Sequence, residues 1–209
     1  MKTETLLQLN SSLNSSAGFS SRLAGAFVAN WRAANPGAEV IVRDLAVDAV
    51  PHLTAERFGA FLTKAEERSV EQKNVVAFSD RLIDELERSD VIVLGLPLYN
   101  FGVPSTLKAY FDHVARAGVT FKYTENGPVG LLTGKKAYVL AARGGIYAGT
   151  PTDTQTQYVR DFLGFLGITD VEFVYAEGLA IGEASREAAV AKAHEQIDAL
   201  TAAEWKQAA

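Results

Sequence analysis

The chain has 209 residues, of which 48% are hydrophobic and 22% charged, so it can fill one sizeable core, and we predict a single domain over residues 1–209. Its net charge of −5 is spread along the chain, which excludes a basic surface for nucleic acid or for an anionic membrane. It has no cysteine and three scattered histidines, so disulfides and thiolate catalysis are excluded and no metal site is predicted.

Hydrophobic periodicity predicts strands and helices that alternate along the chain. Strands are predicted at residues 5–9, 39–44, 90–96, 135–142 and 171–176. Helices are predicted from Ser20 or Ser21 to the Asn35-Pro36-Gly37 stop, near residues 55–62, at 70–88, at 104–117, after Asp153, and from Glu183 to about residue 203.

Several boundaries are predicted from capping and turn chemistry. Either Ser20 or Ser21 is predicted to be the N-cap of the first helix. Gly118 is predicted to be the residue just after the C-terminus of the helix at 104–117. Residues 150–153, Thr-Pro-Thr-Asp, have the form of a capping box with proline at the first helical position. Residues 119–133 are too long for a simple connection and predict a hairpin around residues 126–127, Asn-Gly.

The other elements are arranged around the strand at residues 90–96. Its apolar run has no polar alternation, which is typical of a strand buried on both faces of a parallel sheet. Pro97 cannot donate to a sheet, so the strand is predicted to stop near Leu96, and Pro104 suits the first turn of the next helix. Five strands alternating with helices predict an α/β fold: a flavodoxin-like, doubly wound parallel sheet of order 2-1-3-4-5 with helices on both faces.

Three predicted loops follow the first, third and fourth strands, which are neighbours in that order, so the loops meet at one crevice. Residues 10–20 are rich in serine and lead into a helix N-terminus, which can hold a phosphate without a cation. Tyr99, Asn100 and Phe101 offer flat faces and a polar edge to a planar ring. Residues 143–149 contain adjacent glycines, whose N–H groups can approach such a ring closely.

Each loop also has a simpler interpretation. The serine-rich loop is equally consistent with a capped connection. The second loop is consistent with a tight turn whose aromatic rings cover the sheet edge, and the third with a flexible turn. Neither a G-x-G-x-x-G nor a Walker pattern occurs, so a monophosphate is favoured over a pyrophosphate.

Longer segments at these loops resemble the FMN-dependent NADH:quinone oxidoreductases, the flavodoxin-like family that includes the FMN-dependent NADH-azoreductases. The similarity covers nearly the whole chain. Its most specific segments are residues 97–101 (PLYNF), 115–121 (ARAGVTF), 123–128 (YTENGP), 143–145 (RGG), 162–168 (FLGFLGI) and 176–178 (AEG).

The resemblance implies one FMN per subunit, bound at the three loops. It implies that the phosphate is held by Ser12, Gly18, Phe19 and Ser20. It implies that the isoalloxazine contacts Leu98, Tyr99, Asn100, Phe101, Ala142, Arg143, Gly144 and Gly145. The chain departs from the family where serine, methionine and serine are usual, at Gly18, Leu98 and Ala142. We interpret these departures as tuning of FMN binding rather than loss of it.

The resemblance also implies a homodimer in which the partner completes each flavin site. Phe121, Tyr123 and Phe162 are then the candidates for the wall of the substrate pocket. The predicted activity is two-step transfer of two electrons from NADH through FMN to quinones, with cleavage of azo bonds in suitable substrates. Because the chemistry belongs to FMN, no side chain is predicted to be a catalytic acid or base.

Two other functions fit the same fold. A flavodoxin-type electron carrier or flavin-binding interaction module would present a concentrated acidic rim, whereas acidic and basic residues are intermixed here. A flavin-free interaction domain would stay colourless after incubation with FMN. No apolar run is long enough to span a membrane, and the run after residues 1–4 is too short for the apolar region of a signal peptide, so a cytoplasmic location is predicted.

Overall fold

The computed structural model describes residues 4–208, with side chains described as far as residue 202; residues 1–3 and Ala209, which belong to the predicted domain, lie outside the described residues. Its strands are β1 (Thr5–Asn10), β2 (Glu39–Asp44), β3 (Val91–Pro97), β4 (Phe121–Thr124), β5 (Gly127–Gly130), β6 (Lys136–Ala142) and β7 (Asp170–Ala176). Its helices are α1 (Phe19–Ala34), α2 (Ala55–Leu62), α3 (Val70–Arg88), α4 (Ser105–Val114), α5 (Thr156–Leu166) and α6 (Glu183–Ala208). None of the described helices combines the length and the apolar character needed to cross a bilayer.

Five parallel strands form the main sheet in the order β2-β1-β3-β6-β7, which confirms the predicted order 2-1-3-4-5. The central strand β3 pairs with β1 and β6, and every one of its residues is buried. Its predicted end at Leu96 is one residue short, because Pro97 completes the strand opposite Ala142. Proline is tolerated there because β1 pairs with β3 only as far as Gly95, so the missing N–H of Pro97 costs no ladder hydrogen bond.

Two apolar cores lie on the two faces of this sheet. On one face, α1 and α6 pack around Phe27. On the other face, α3, α4 and α5 pack around Phe111. Neighbouring residues of β3, such as Val93 and Leu94, belong to different cores, as the period of a strand requires. The sheet is therefore a buried middle layer, and its strand ends are left for ligands.

The predicted hairpin is confirmed as the antiparallel pair β4–β5. Thr124 pairs with Gly127, so the turn is formed by residues 125–126, one residue earlier than predicted. The hairpin lies against the end of α5 at Gly130, where an added Cβ would be 2.0 Å from Gly167 N. Since only a residue without Cβ permits this backbone contact, Gly130 fixes the position of the hairpin.

Two predicted helix boundaries, at the start of α1 and at the end of α4, are wrong. The N-cap of α1 is Gly18, so Ser20 and Ser21 lie within its first turn. Helix α4 ends at Val114, before the predicted end at residue 117. Gly118, with φ of 79°, therefore belongs to the turn that follows α4 rather than to its C-terminus.

The predicted capping box at residues 150–153 is also wrong, because turns occupy that segment and α5 begins at Thr156. Asp153 still serves the helix start, since its carboxylate accepts a hydrogen bond from Thr156 N at 3.1 Å. At the other end of the chain, α6 continues to Ala208, past the predicted end near residue 203.

Candidate functional site

The first predicted loop ends at the N-terminus of α1. The first intrahelical bond runs from Arg22 N to Gly18 O (2.9 Å), so the N–H groups of Phe19, Ser20 and Ser21 have no acceptor within the helix. Ser20 and Ser21 are 1% and 4% exposed, and their buried hydroxyls have no hydrogen-bond partner in the described part of the chain. Buried donors without a partner are costly, and at a helix N-terminus they are placed to bind an oxyanion.

Ser12 and Gly18 approach each other closely across this loop. A Cβ at Gly18 would lie 2.1 Å from Ser12 Oγ, although the φ of −67° at Gly18 is one that any residue adopts. Glycine is therefore needed here for space and not for backbone conformation. Ser12 uses that space to accept a hydrogen bond from Asn14 N at 3.2 Å and to reach Tyr99 OH at 3.3 Å.

The second predicted loop contains a strained four-residue turn, the 99–102 turn. Tyr99 N donates to Gly102 O at 3.2 Å, and Gly102 N donates to Tyr99 O at 3.0 Å. Between them, Asn100 and Phe101 have φ of 48° and 60°, in the left-handed region. This conformation costs a residue such as phenylalanine about 1–3 kcal/mol and persists only where its surroundings impose it.

Tyr99 and Phe101 connect the three loops. Tyr99 OH lies 3.3 Å from Ser12 Oγ and accepts a hydrogen bond from Leu13 N at 3.3 Å. The ring of Phe101 meets the ring of Tyr147 edge to face, with centroids 5.7 Å apart. The structure therefore brings the three loops together at one edge of the sheet, as their positions after β1, β3 and β6 require.

The third loop, residues 143–149, is held in place by buried contacts of Arg143. Its guanidinium is fully buried, with Nη1 3.2 Å from Glu177 Oε1 and Nη2 3.0 Å from Asp153 Oδ1. Its backbone N donates to Ala176 O at 2.9 Å, and its backbone O accepts from Leu179 N at 3.1 Å. These contacts anchor the loop, while Nε of the same guanidinium is buried without a hydrogen-bond partner in the described part of the chain. The predicted contact of Arg143 with the flavin edge stays a prediction.

Gly144 and Gly145 form the accessible part of the same loop. Their carbonyl oxygens accept hydrogen bonds from Ala180 N at 3.0 Å and Gly178 N at 2.9 Å. Their own N–H groups have no acceptor within residues 4–202. A Cβ at Gly145 would lie 2.7 Å from Tyr147 OH, so a larger residue would displace that ring. Two such N–H groups are suited to a ligand edge that carries negative charge.

Glu177 and Asp153 complete the support of the third loop. Glu177 Oε1 accepts hydrogen bonds from the N–H groups of residues 147 and 148, at 2.8 and 2.9 Å. Burial acts to raise the pKa of Asp153, but hydrogen bonds from Arg143 and Thr156 outweigh burial and lower it. Asp153 is thus ionised at neutral pH, as its ion pair with Arg143 requires.

In a single chain, the three predicted substrate-pocket residues lie in or beside α5. Phe121, 6% exposed, packs on Phe165 with ring centroids 4.2 Å apart, and Phe162 stacks on Phe111 at 3.9 Å. Tyr123 is 73% exposed on the hairpin. Because the resemblance implies that the partner subunit completes each site, the role of these three residues in a substrate pocket stays a prediction.

Comparison with known proteins supplies the family. A family model described as the flavodoxin-like fold matches residues 4–200. An FMN-dependent NADH:quinone oxidoreductase from Cellvibrio japonicus is 58% identical over 199 residues, which are 95% of this chain and 99% of that protein. The chain belongs to this family.

Further similarities confirm the predicted family membership. FMN-dependent NADH:quinone oxidoreductase 6 from Burkholderia lata is 56% identical over 195 residues, 93% of this chain and 98% of that protein. The crystal structure of an azoreductase from Bacillus anthracis has a TM-score of 0.87 at 29% identity and covers 95% of this chain and 99% of its own. An FMN-dependent NADH-azoreductase from Bacillus anthracis, solved in complex with FMN, has a TM-score of 0.84 at 26% identity, with coverage of 95% and 100%.

In this FMN-dependent NADH:quinone oxidoreductase family member, sequence reasoning missed the residues that hold the loops in place. In the sequence, Asp153 and Glu177 belong only to the predicted capping box and to the AEG segment. Their role as partners of Arg143 has no local signal, because the burial of that arginine is visible only in the structure. Thr154 and Gln155 had no local signal, since their contacts are with residues far away in the sequence.

Proposed function

We propose that this protein is an FMN-dependent NADH:quinone oxidoreductase that also reduces azo compounds. The observation that carries the proposal is the pair of buried, unpartnered hydroxyls of Ser20 and Ser21 beside the N–H groups that open α1. They lie at the same sheet edge as the 99–102 turn. This combination fits a phosphate ester joined to a flat ring, as in FMN. The names of the relatives support NADH as donor and a quinone as acceptor.

We assign the phosphate of FMN to the start of α1. The N–H groups of Phe19 and Ser20 and the hydroxyl of Ser20 are its donors, and Ser12 adds a second hydroxyl from across the loop. Gly18 brings no hydroxyl of its own, but it gives Ser12 the space to come close. Residues 10–21 contain neither lysine nor arginine, so the helix dipole and neutral donors balance the phosphate charge.

We assign the isoalloxazine to the 99–102 turn and to the loop that faces it. Bound FMN supplies the redox chemistry, taking two electrons from NADH and delivering them to a quinone or an azo bond. The assigned contacts are Leu98, Tyr99, Asn100, Phe101, Ala142, Arg143, Gly144 and Gly145. The N–H groups of Gly144 and Gly145 favour negative charge on the adjacent ring edge. Arg143 keeps those N–H groups in place, and no side chain is required as an acid or base.

We infer that the active form is a homodimer. The exposed ring of Tyr123 lies edge to face on the buried ring of Phe121, with centroids 5.4 Å apart, and an exposed aromatic ring of this kind is a liability on a monomer. In the dimer, the hairpin of one subunit would place Phe121 and Tyr123, with Phe162 behind them, beside the partner's flavin site. We also propose one FMN-binding domain over residues 1–209, since both cores pack on one sheet, and a cytoplasmic location, where NADH is available.

The test uses the purified full-length chain saturated with FMN. We expect a flavin absorption spectrum, a dimer in sedimentation velocity, and consumption of NADH when benzoquinone is added. Ser20→Ala should weaken FMN binding by about 10- to 100-fold, since hydrogen bonds to charged groups contribute about 1.5–3 kcal/mol. Ser16→Ala, on the exposed side of the same loop, is the matched control and should change little.

Each alternative gives a different result. Stable FMN binding without NADH consumption would reject the enzyme and favour an electron carrier, as would reduction in separate one-electron steps. A colourless protein after incubation with FMN would reject both. Equal effects of Ser20→Ala and Ser16→Ala would reject the phosphate assignment alone.

A further inference from the structure

The strain in the 99–102 turn has an identifiable support. Two-residue connections of this kind need φ > 0 at both central positions, which is why glycine is preferred at the second. Here that position is Phe101, with φ of 60° and a 56% exposed side chain. The ring contacts Tyr147 only edge to face, at 5.7 Å, so packing on its own is a weak restraint. Something else must hold the backbone in this conformation.

The two residues before α5 supply that restraint. Thr154 Oγ1 donates a hydrogen bond to Phe101 O. Gln155 Nε2 donates to Pro97 O at 2.9 Å and to Gly102 O at 3.2 Å. Because both partners of the Gln155 amide are carbonyl oxygens, the group that faces them must be its NH₂. One side chain thus ties the end of β3 to the last residue of the turn.

Gln155 is held so firmly that it can impose a conformation on its partners. It is 0% exposed, and its backbone O accepts from Val159 N at 3.0 Å in the first turn of α5. Its side-chain Oε1 is buried without a hydrogen-bond partner in the described part of the chain. A buried amide with one unsatisfied end is unfavourable for stability. An apolar side chain at position 155 would stabilise the core more than this amide does. The hydrogen bonds to the turn therefore explain why an amide is present here.

We propose that Thr154 and Gln155, the 154–155 clamp, are positioning residues that hold the strained 99–102 turn in the conformation that receives the flavin. This proposal depends on the proposed function only for the identity of the ligand, which is FMN. The clamp acts on the turn whether or not a ligand is present. Because the turn is formed in advance, FMN does not have to order it on binding, which strengthens its apparent affinity.

The decisive experiment is a double-mutant cycle between positions 155 and 101 in the full-length chain. Gln155→Leu removes the donor, whereas Phe101→Gly removes the strain, because glycine adopts φ > 0 readily. We expect Gln155→Leu to raise the FMN Kd by about tenfold, since the competent turn becomes a minor population. In the Phe101→Gly background, the same substitution should change the Kd by less than about threefold.

A second measurement follows the turn without FMN. Amide hydrogen exchange of Gly102 in the apoprotein should become about tenfold faster in Gln155→Leu, with a smaller increase in Thr154→Val. Thr152→Val is the matched control, since within the described residues the Thr152 hydroxyl has its hydrogen bond with Thr150 and none with the turn. Exchange at Gly102 should return towards the unmutated rate in the double variant Phe101→Gly/Gln155→Leu.

The outcomes separate the possibilities. Unchanged Kd and unchanged Gly102 exchange in Gln155→Leu would overturn the proposal. Equal effects of Gln155→Leu in both backgrounds would also overturn it, because Gln155 would then act through packing. If the unmutated protein bound no FMN, the proposed function would fail, and the exchange measurement would still decide whether the clamp exists.

Discussion

Replacing Arg143 by methionine tests whether the third loop depends on its buried ion pairs. The arginine side chain is 0% exposed, and its partners Asp153 and Glu177 are 8% and 14% exposed. Removing the cation leaves two largely buried carboxylates unpaired, which costs about 3–5 kcal/mol in comparable cases. Methionine retains much of the volume, so a cavity contributes little. With an m-value near 2 kcal/mol/M, the urea midpoint should fall by about 1.5–2.5 M.

The assay is urea unfolding of the apoprotein followed by tryptophan fluorescence, with FMN binding measured separately. Lys108→Met is the control, because it removes an exposed partner of Asp112 and should cost less than about 0.5 kcal/mol. Adding Glu177→Gln to Arg143→Met should restore part of the loss, since one unpaired charge disappears. A loss below about 1 kcal/mol in Arg143→Met, or no recovery in the double variant, would refute the electrostatic argument.

Three further predictions concern other parts of the molecule. Gly130→Ala places a Cβ 2.0 Å from Gly167 N and should lower the free energy of unfolding by about 1–3 kcal/mol or more. Proteolysis should cleave the hairpin earlier in this variant than in the control Val129→Ala. Gly18→Ser places its Cβ 2.1 Å from Ser12 Oγ and should turn the Ser12 side chain away from Tyr99. The FMN Kd should therefore change in Gly18→Ser. It should not change in Gly25→Ser, where nothing lies within 4 Å of the added Cβ. The pKa of His113 is lowered by burial, so the unfolded chain binds the extra proton first as the pH falls. Stability should therefore decrease as the pH drops below about 6.5, so the urea midpoint should be lower at pH 5.5 than at pH 7.5. His113→Leu should remove this difference between the two midpoints. An unchanged difference would count against the assignment to His113.

Much of the fold could be predicted from the sequence because its signals are local. The apolar run of β3 and the stripe of α1 around Phe27 each lie within a few residues of one another, and α2 and α3 have the predicted bounds. The loops of the site could be predicted for the same reason, since they follow from strand order. Boundaries failed where a tertiary contact replaced a local rule, as at Asp153, which binds Arg143 as well as the start of α5.

By itself, the sequence determined the alternation of elements, the strand order, the family and the three loops of the site. The tertiary structure alone decided which residues hold those loops: Arg143 pairs with Glu177, 34 residues away, and Gln155 with Pro97, 58 residues away. It also decided that Phe121 packs against Phe165 of α5. The reason is that periodicity and capping act over a few residues, whereas the partner of a buried polar group is settled only when distant segments pack.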